Sequence, residues 1–160
     1  GNGEIVLSNL AGVYGELGRD EEALDIYRKV YQNWVDKHGP DHKCSLWAAE
    51  DLIKCLKRLK QHTEAQDRAR AAIPLAQRTL GADNLVTLSL RDLDARISLS
   101  RDDASSQDKI KALVVWGSVF KVRRRVQGPD HPDTRSLRDD LETIRTVLEL
   151  DDATFKLLVE

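Results

Sequence analysis

A short glycine-containing segment occurs three times in this chain, and its spacing is the strongest constraint on the fold. The copies are separated by 42 and then 47 residues, and they read Gly39-Pro40-Asp41-His42, Gly81-Ala82-Asp83-Asn84 and Gly128-Pro129-Asp130-His131. Periods of about 20–50 residues are typical of repeat arrays, in which each unit stacks only on its neighbours. The spacing therefore predicts an array of similar units rather than one compact core.

Each unit is predicted to be a pair of α-helices. In the first unit apolar residues follow helical spacing, and Gly18 then ends the helix. Asp20 can cap a second helix that continues to Lys37. A shift of 42 residues superimposes the apolar positions of the first two units: Leu10 on Leu52, Tyr14 on Leu56, Leu17 on Leu59, Ala23 on Ala65 and Val30 on Ala72.

A helix pair this small cannot bury its own apolar face, so neighbouring pairs are expected to share one continuous core. The residues of the first helix assigned to that core are Ile5, Leu7, Leu10, Ala11 and Tyr14. Small residues at 23, 65 and 112 let the helices of a pair approach closely. The aromatic residues expected to fill the space between pairs are Tyr14, Tyr27, Trp34 and Trp116.

The third unit departs from the 42-residue period. Its second helix aligns with the one before it only after a shift of 47, so five residues are added between Gly81 and Ala112. The polar run 100–107 is the natural place for a longer turn, and Asp94 stands where the second unit has Leu52. The predicted units are therefore 1–38, 39–80, 81–127 and a partial unit 128–160.

Composition excludes several classes of protein. A net charge of −2 favours neither nucleic acid nor an acidic tail, and no apolar run approaches a membrane span or a signal peptide. Cys44 and Cys55 lie eleven residues apart on one predicted helix, too far for a disulfide, so both are expected to be free thiols in a reducing cytoplasm. Because Met is absent even at position 1, we expect the chain to be a piece of a longer protein with flanking repeats.

The repeat residues resemble those of tetratricopeptide repeat proteins, in particular the long-period repeats of kinesin light chains. The residues that carry the resemblance are Leu10-Ala11-Gly12-Val13-Tyr14, Leu17-Gly18, Glu21-Glu22-Ala23, Tyr27 and the linker Gly128-Pro129-Asp130-His131-Pro132-Asp133-Thr134. The resemblance implies an all-α, right-handed superhelical solenoid of antiparallel helix hairpins. It also implies that the first helices line a concave groove that binds a protein or peptide partner.

The groove positions implied by this resemblance form three columns along the array. The columns are Ser8, Glu50, Asp92 and Asp139; Gly12, Lys54, Arg96 and Thr143; and Asn9, Asp51 and Asp140. Asn9 resembles the groove asparagine of the family, which hydrogen-bonds the backbone of a bound peptide. We expect Lys54 and Arg96 to bridge acidic side chains of the partner. Alternatively, Glu50 with Lys54 and Asp92 with Arg96 are i,i+4 pairs, each worth only about 0.2–0.5 kcal/mol and needing no ligand.

Two further clusters have simpler interpretations than a ligand site. His38, His42, Cys44 and Asp41 could begin a metal site, but Asp130 and His131 repeat the linker where no cysteine follows. We therefore expect these linker residues to cap helices, with no metal or cofactor. The basic run Lys121, Arg123, Arg124 and Arg125 could contact phosphates, but it falls in the last turns of a helix, where cations complement the helix dipole.

No catalytic motif is present, since the chain lacks a phosphate-binding glycine loop, a G-x-S-x-G segment and an H-E-x-x-H segment. The sequence thus predicts a non-enzymatic scaffold for protein–protein interaction. Two alternatives remain open at this point. The array could be a self-stacking spacer or assembly module, or it could be the regulatory repeat arm of a larger signalling protein.

Overall fold

The computed structural model describes residues 2–160, which contain eight α-helices and no strand. From the first helix to the sixth, consecutive helices pack closely on each other. The chain is therefore an all-α solenoid of helix hairpins. The helices are α1 Asn2–Glu16, α2 Asp20–His38, α3 Lys43–Arg58, α4 His62–Leu80, α5 Leu85–Ser100, α6 Ser106–Val126, α7 Pro132–Val147 and α8 Asp152–Val159.

The first two hairpin turns close with the same backbone hydrogen bond. Arg19 N–H donates to the Tyr14 carbonyl at 2.8 Å, and Gln61 N–H donates to the Leu56 carbonyl at 2.9 Å. This pattern needs a residue with positive φ just before the donor. Gly18 fills that position with φ 74°, whereas Lys60 fills it in the second hairpin with φ 56°. A lysine in this conformation costs about 1 kcal/mol relative to glycine.

The linkers between hairpins cap the helices that follow them. The side chains of His42, Asn84 and His131 accept hydrogen bonds from backbone N–H groups two residues later, at 3.2, 2.9 and 3.2 Å. These residues occupy the same place in the three recurring segments, so the prediction that the linkers cap helices is confirmed. Ser45 adds a further contact by donating its hydroxyl to the Gly39 carbonyl at 2.7 Å.

The core consists of two clusters, one centred on α3 and one on α6. The alanines at 23, 65 and 112 are buried as predicted, and so are Tyr27 and Trp116. Tyr14 is half-buried and packs on the first cluster. Trp34 is predicted to fill the space between pairs, but it is only half-buried, and its ring lies tilted against that of His38 with ring centroids 5.4 Å apart.

The apolar assignment for α1 is largely wrong. Ile5, Leu7 and Leu10 are 57%, 39% and 41% exposed, whereas Ala11 is fully buried. The physical reason is that α1 packs on α2 and makes only slight contact with α3, so one of its sides has no helix against it among the described residues. The helical period was read correctly, but the sequence does not say which side a neighbouring helix covers.

In the third hairpin the added residues are divided between the turn and the following helix. The turn spans residues 101–105, and α6 begins at Ser106, so that Ala112 lies deeper in α6 than Ala65 lies in α4. Asp94 does not disrupt the packing, because Gln66 and Arg70 each donate a hydrogen bond to its carboxylate at 3.1 Å. Polar partners on α4 thus match the polar residue at this position.

The last two helices pack on α6. The backbone of α8 lies against Gly117, where an added Cβ would clash with the Leu158 carbonyl oxygen. The basic run of α6 is held mainly within the fold. Arg123 is buried and pairs with Asp133 at 3.2 Å, Arg125 pairs with Asp83, and the Lys121 ammonium donates to the Leu157 carbonyl at 3.1 Å. Between residues 2 and 160, no helix combines the length and apolar character needed to cross a membrane.

Candidate binding groove

The first helices of the hairpins form the inner layer of the array, because α3 contacts both α1 and α5. Three cavities open along this layer. A cavity of about 260 Å³ lies between α1 and α3, and we call it the α1–α3 cavity. A second, of about 300 Å³, lies between α3, α5 and α7, and a third, of about 960 Å³, lies where the hairpin turns meet the layer.

Most of the residues predicted for the groove line these cavities. Asn9 and Asp51 line the α1–α3 cavity. The second cavity is lined by Glu50, Lys54, Asp92 and Arg96. Asp140 reaches the same region through an ion pair with Arg96 at 2.7 Å. Asp139 lines none of the three cavities, and its side chain is 75% exposed.

The α1–α3 cavity combines an exposed indole with a carboxylate that lacks a partner. Trp47 is 51% exposed, although large aromatic side chains are usually covered. Asp51 lies one helical turn further along α3, and within residues 2–160 it makes no hydrogen bond or ion pair. Burial raises the pKa of the Asp51 carboxyl above its usual value, and the ammonium of Lys54 opposes this only in part.

Sequence reasoning missed Trp47, although the repeat carries a signal for it. Shifts of 42, 42 and 47 residues place Ile5, Trp47, Ser89 and Ser136 in one further column. In each first helix, this column lies one helical turn before the column that contains Asn9 and Asp51. Ile5 and Trp47 line the α1–α3 cavity, and Ser89 and Ser136 line the second one.

Glu50 and Lys54 form the i,i+4 pair that the sequence suggested. Their nitrogen–oxygen distance is 2.5 Å, and Lys54 remains 45% exposed. The Ser89 hydroxyl also donates to Glu50 at 2.6 Å. Lys54 therefore belongs to a partly exposed surface pair, of a kind worth about 0.2–0.5 kcal/mol.

Arg96 is held much more firmly than Lys54. It pairs with Asp92 at 3.0 Å and with Asp140 at 2.7 Å, and its guanidinium lies 4.7 Å from the centre of the Trp116 ring. The indole N–H of Trp116 donates to the same Asp92 carboxylate. Arg96 thus ties α5, α6 and α7 together, and it is not the simple surface pair that the sequence suggested.

The cavity at the hairpin turns is rich in lysine and arginine. Both of its arginines are already paired, Arg58 with Asp20 at 2.8 Å and Arg101 with Asp103 at 2.6 Å. Lys57 and Lys60 have no ion pair within the described residues. Burial, with Arg96 nearby, lowers the pKa of the half-buried Lys57. These two lysines follow Gly15 and Gly18 by 42 residues, so the repeat gave no reason to single them out.

Within residues 2–160, no three His, Cys, Asp or Glu side chains are arranged to hold a metal ion. The rings of His38 and His42 stack with centroids 4.6 Å apart. The Nδ1 atom of His42 is the acceptor of its helix cap. The cluster around Cys44 is therefore explained by helix capping and ring stacking.

Stacked helix pairs with an open inner layer define an α-solenoid of the protein-interaction class, which is a non-catalytic type of fold. Residues 4–78 match the family model for the tetratricopeptide repeat. The match covers just under half of the chain, and over these residues the sequence is that of tetratricopeptide repeats. Tetratricopeptide repeats generally mediate protein–protein interaction.

Several solved structures share the fold, and two of them illustrate the similarity. One is a crystal structure of nearly identical TPR-like repeats of a candidate kinesin light chain from Podosopora anserina, with a TM-score of 0.75 and 16% identity over 88% of this chain and 64% of that one. The other is BtubC (BKLC) from P. vanneervenii, with a TM-score of 0.52 and 15% identity over 92% of this chain and 65% of that one. This chain thus spans just under two thirds of each. No curated protein matches its sequence significantly.

Proposed function

We propose that this chain is an interaction scaffold that binds an extended or helical segment of a partner protein along the inner layer formed by α1, α3 and α5. The observation that carries the proposal is Trp47, whose indole is 51% exposed at the α1–α3 cavity. Tryptophan in a concave surface is a frequent centre of binding energy in protein interfaces. Its position beside Asn9, the asparagine expected to contact a peptide backbone, supports a peptide site rather than an isolated exposed side chain.

The charges along the groove favour one orientation of the partner. Asp51 lies at the α1 end, whereas Lys54, Lys57 and Lys60 lie toward the hairpin turns. An acidic side chain of the partner would contact Lys54 and the unpaired Lys57. Arg96, proposed from the sequence as the second cationic contact, already holds two carboxylates and would act by positioning Asp92 and Asp140. A cytoplasmic location, where Cys44 and Cys55 stay reduced, is part of the proposal.

The experiment is selection of peptides from a random library on the immobilised chain, followed by calorimetric titration of the selected peptides. Trp47→Ala should weaken binding by about tenfold or more, the loss typical of a central interface residue. The matched control is Leu157→Ala, which removes an apolar side chain that is 79% exposed on α8. If peptides bind the parent and the Trp47→Ala variant equally well, the groove is not the site.

A second candidate function, self-stacking of the array, is favoured by a different observation. Val6, Leu10 and Val13 on α1, together with Leu17 in the turn that follows, form an exposed stripe, with exposures of 64%, 41%, 50% and 66%. The residues that follow them by 42 positions are Ala48, Leu52, Cys55 and Leu59, and each is buried or packed on the core. Sedimentation at increasing concentration tests this use. Stacking would be the function if the chain selects no peptide and if its self-association is lost in the Val13→Glu variant.

A further inference from the structure

We infer that the α1–α3 cavity is a recognition site for an arginine side chain of the partner, which would lie over the Trp47 indole and pair with the Asp51 carboxylate. This inference rests on the proposed function of the groove and specifies the residue that the partner must supply. It is carried by a pattern that recurs within the chain itself.

Every arginine that lies over an aromatic ring in the described chain also pairs with a carboxylate. The four guanidinium groups lie between 4.5 and 5.5 Å from the ring centres. The combinations are Arg19 with Tyr14 and Glu22, Arg68 with Tyr31 and Glu64, Arg96 with Trp116 and Asp92, and Arg145 with Phe155 and Asp152. This fold thus repeatedly holds a guanidinium between a ring and an acid.

Trp47 and Asp51 form the same combination of ring and acid, but no arginine of the described chain lies between them. Their i,i+4 spacing on α3 brings the two side chains together on one face. The nearest candidates are committed elsewhere, because Arg58 pairs with Asp20 at 2.8 Å and Lys54 pairs with Glu50 at 2.5 Å. A cation from a partner would therefore complete the combination.

The shape and polarity of the cavity fit one long cationic side chain. Its volume of about 260 Å³ is too small for a folded segment, and its lining is mainly apolar, with Ile5 and Ala48 beside Trp47. The other acid in the lining, Glu4, is paired with Lys37 at 2.5 Å. Asp51 is thus the carboxylate left to meet a ligand.

Arginine fits this site better than lysine does. Its guanidinium is planar, so it can stack on an indole while its N–H groups donate to a carboxylate in the same plane. It is also less strongly hydrated than an ammonium, which reduces the cost of bringing it into a mainly apolar cavity. Among residues 2–160, arginine supplies the cation in all four cation–ring contacts.

The test is an NMR titration of the isotope-labelled chain, observed at the indole N–H of Trp47 and assigned with Trp47→Phe. The probes are N-acetylarginine N-methylamide, its neutral citrulline analogue and its lysine analogue. We expect the arginine probe to give a saturable shift of the indole resonance. Both analogues should bind at least about tenfold more weakly than the arginine probe. Asp51→Asn should weaken the arginine probe by a similar factor and leave the citrulline probe unchanged. Asp139→Asn, at a 75% exposed carboxylate, is the matched control.

Equal binding of the arginine and citrulline probes, tighter binding of the lysine probe, or unchanged arginine binding in Asp51→Asn would overturn the inference. Comparison of the three probes on the parent chain tests the arginine site even if a variant does not fold. Failure of the arginine site can also be distinguished from failure of the proposed peptide-binding function. Selected peptides that need Trp47 but bind equally well when their arginines are replaced by citrulline would refute the arginine site alone. An arginine response in a chain that selects no peptide would refute the proposed function alone.

Discussion

Leu10 and Leu52 occupy the same position in successive units, yet Leu10 is 41% exposed and Leu52 is 1% exposed. Leu52 lies in α3, which packs closely on both α2 and α4. Leu10 lies in α1, whose only close helix contact is with α2. The two leucines therefore differ in what covers them, although the repeat pattern makes them equivalent.

Replacement of each leucine by alanine should reveal this difference in the free energy of unfolding. Leu52→Ala should lower it by about 2–5 kcal/mol, because the substitution leaves a cavity in a packed core. Leu10→Ala should lower it by less than about 1 kcal/mol. Urea denaturation followed by circular dichroism measures both. Equal losses at low protein concentration would mean that another helix covers Leu10 in solution.

Arg96 and Lys54 occupy equivalent groove positions but should contribute very differently to stability. Arg96→Ala leaves Asp92 and Asp140 without their shared cation, and we expect a loss of about 1–3 kcal/mol. Lys54→Ala removes an exposed i,i+4 pair, and the expected loss is about 0.5 kcal/mol or less. Denaturation of the two variants side by side checks this. Similar small losses would show that the Arg96 contacts add little.

The sequence predicted the fold more fully than it predicted the site, for a physical reason. Period, turn glycines and helix caps are local properties, so the hairpins and the capping by His42 and His131 could be inferred correctly. Whether a helix face is covered depends on helices distant in the sequence, and this is why the sequence wrongly predicts a buried Leu10. Trp47 was missed for a related reason, since an aromatic residue at helical spacing has the same pattern whether it is buried or lines a groove.

Glu64 should make the chain sensitive to acid. It accepts two hydrogen bonds from Arg28 at 2.7 Å, and these, together with Arg68, lower its pKa from 4.5 to about 2. A lowered carboxyl pKa contributes stability above the unfolded value, and that contribution is lost as the pH falls toward the folded value. Glu64→Gln should therefore cost about 1 kcal/mol at pH 7.

The acid prediction is checked by denaturation as a function of pH. The difference between parent and Glu64→Gln should shrink as the pH falls from 4.5 to about 2. Glu22→Gln is the control, because its pair with Arg19 is more exposed and should matter less. A constant difference across that range would show that the glutamine acts through packing rather than through lost charge.

Gly117 should tolerate no side chain. In a helix, alanine is normally favoured over glycine by about 1 kcal/mol. At this position an added Cβ would clash with the backbone carbonyl oxygen of Leu158. Gly117→Ala should therefore displace α8 and speed amide exchange over 152–159. Gly12→Ala is the matched control, because its Cβ meets only the Tyr27 hydroxyl at 3.8 Å and should stabilise α1. Unchanged amide exchange in α8 would mean that this helix does not pack against Gly117.

Asp51 should reduce stability while it enables binding. Because burial raises its pKa in the folded chain, the ionised form is less favourable there than in the unfolded chain. Stability from this group is complete below the unfolded pKa and is lost as the pH rises through the higher folded value. At pH 7 the parent should therefore melt at a lower temperature than Asp51→Asn.

The same variant should then separate stability from recognition. Below pH 3.8, the ordinary value for this carboxyl, the melting temperatures of parent and Asp51→Asn should converge, because both side chains are neutral. Calorimetric melting at pH 7 and near pH 3 measures the difference, with Asp139→Asn expected to match the parent at both. A more stable Asp51→Asn that also loses arginine binding would identify a carboxylate kept for a ligand at the expense of the fold. A less stable variant would instead mean that Asp51 stabilises the free chain.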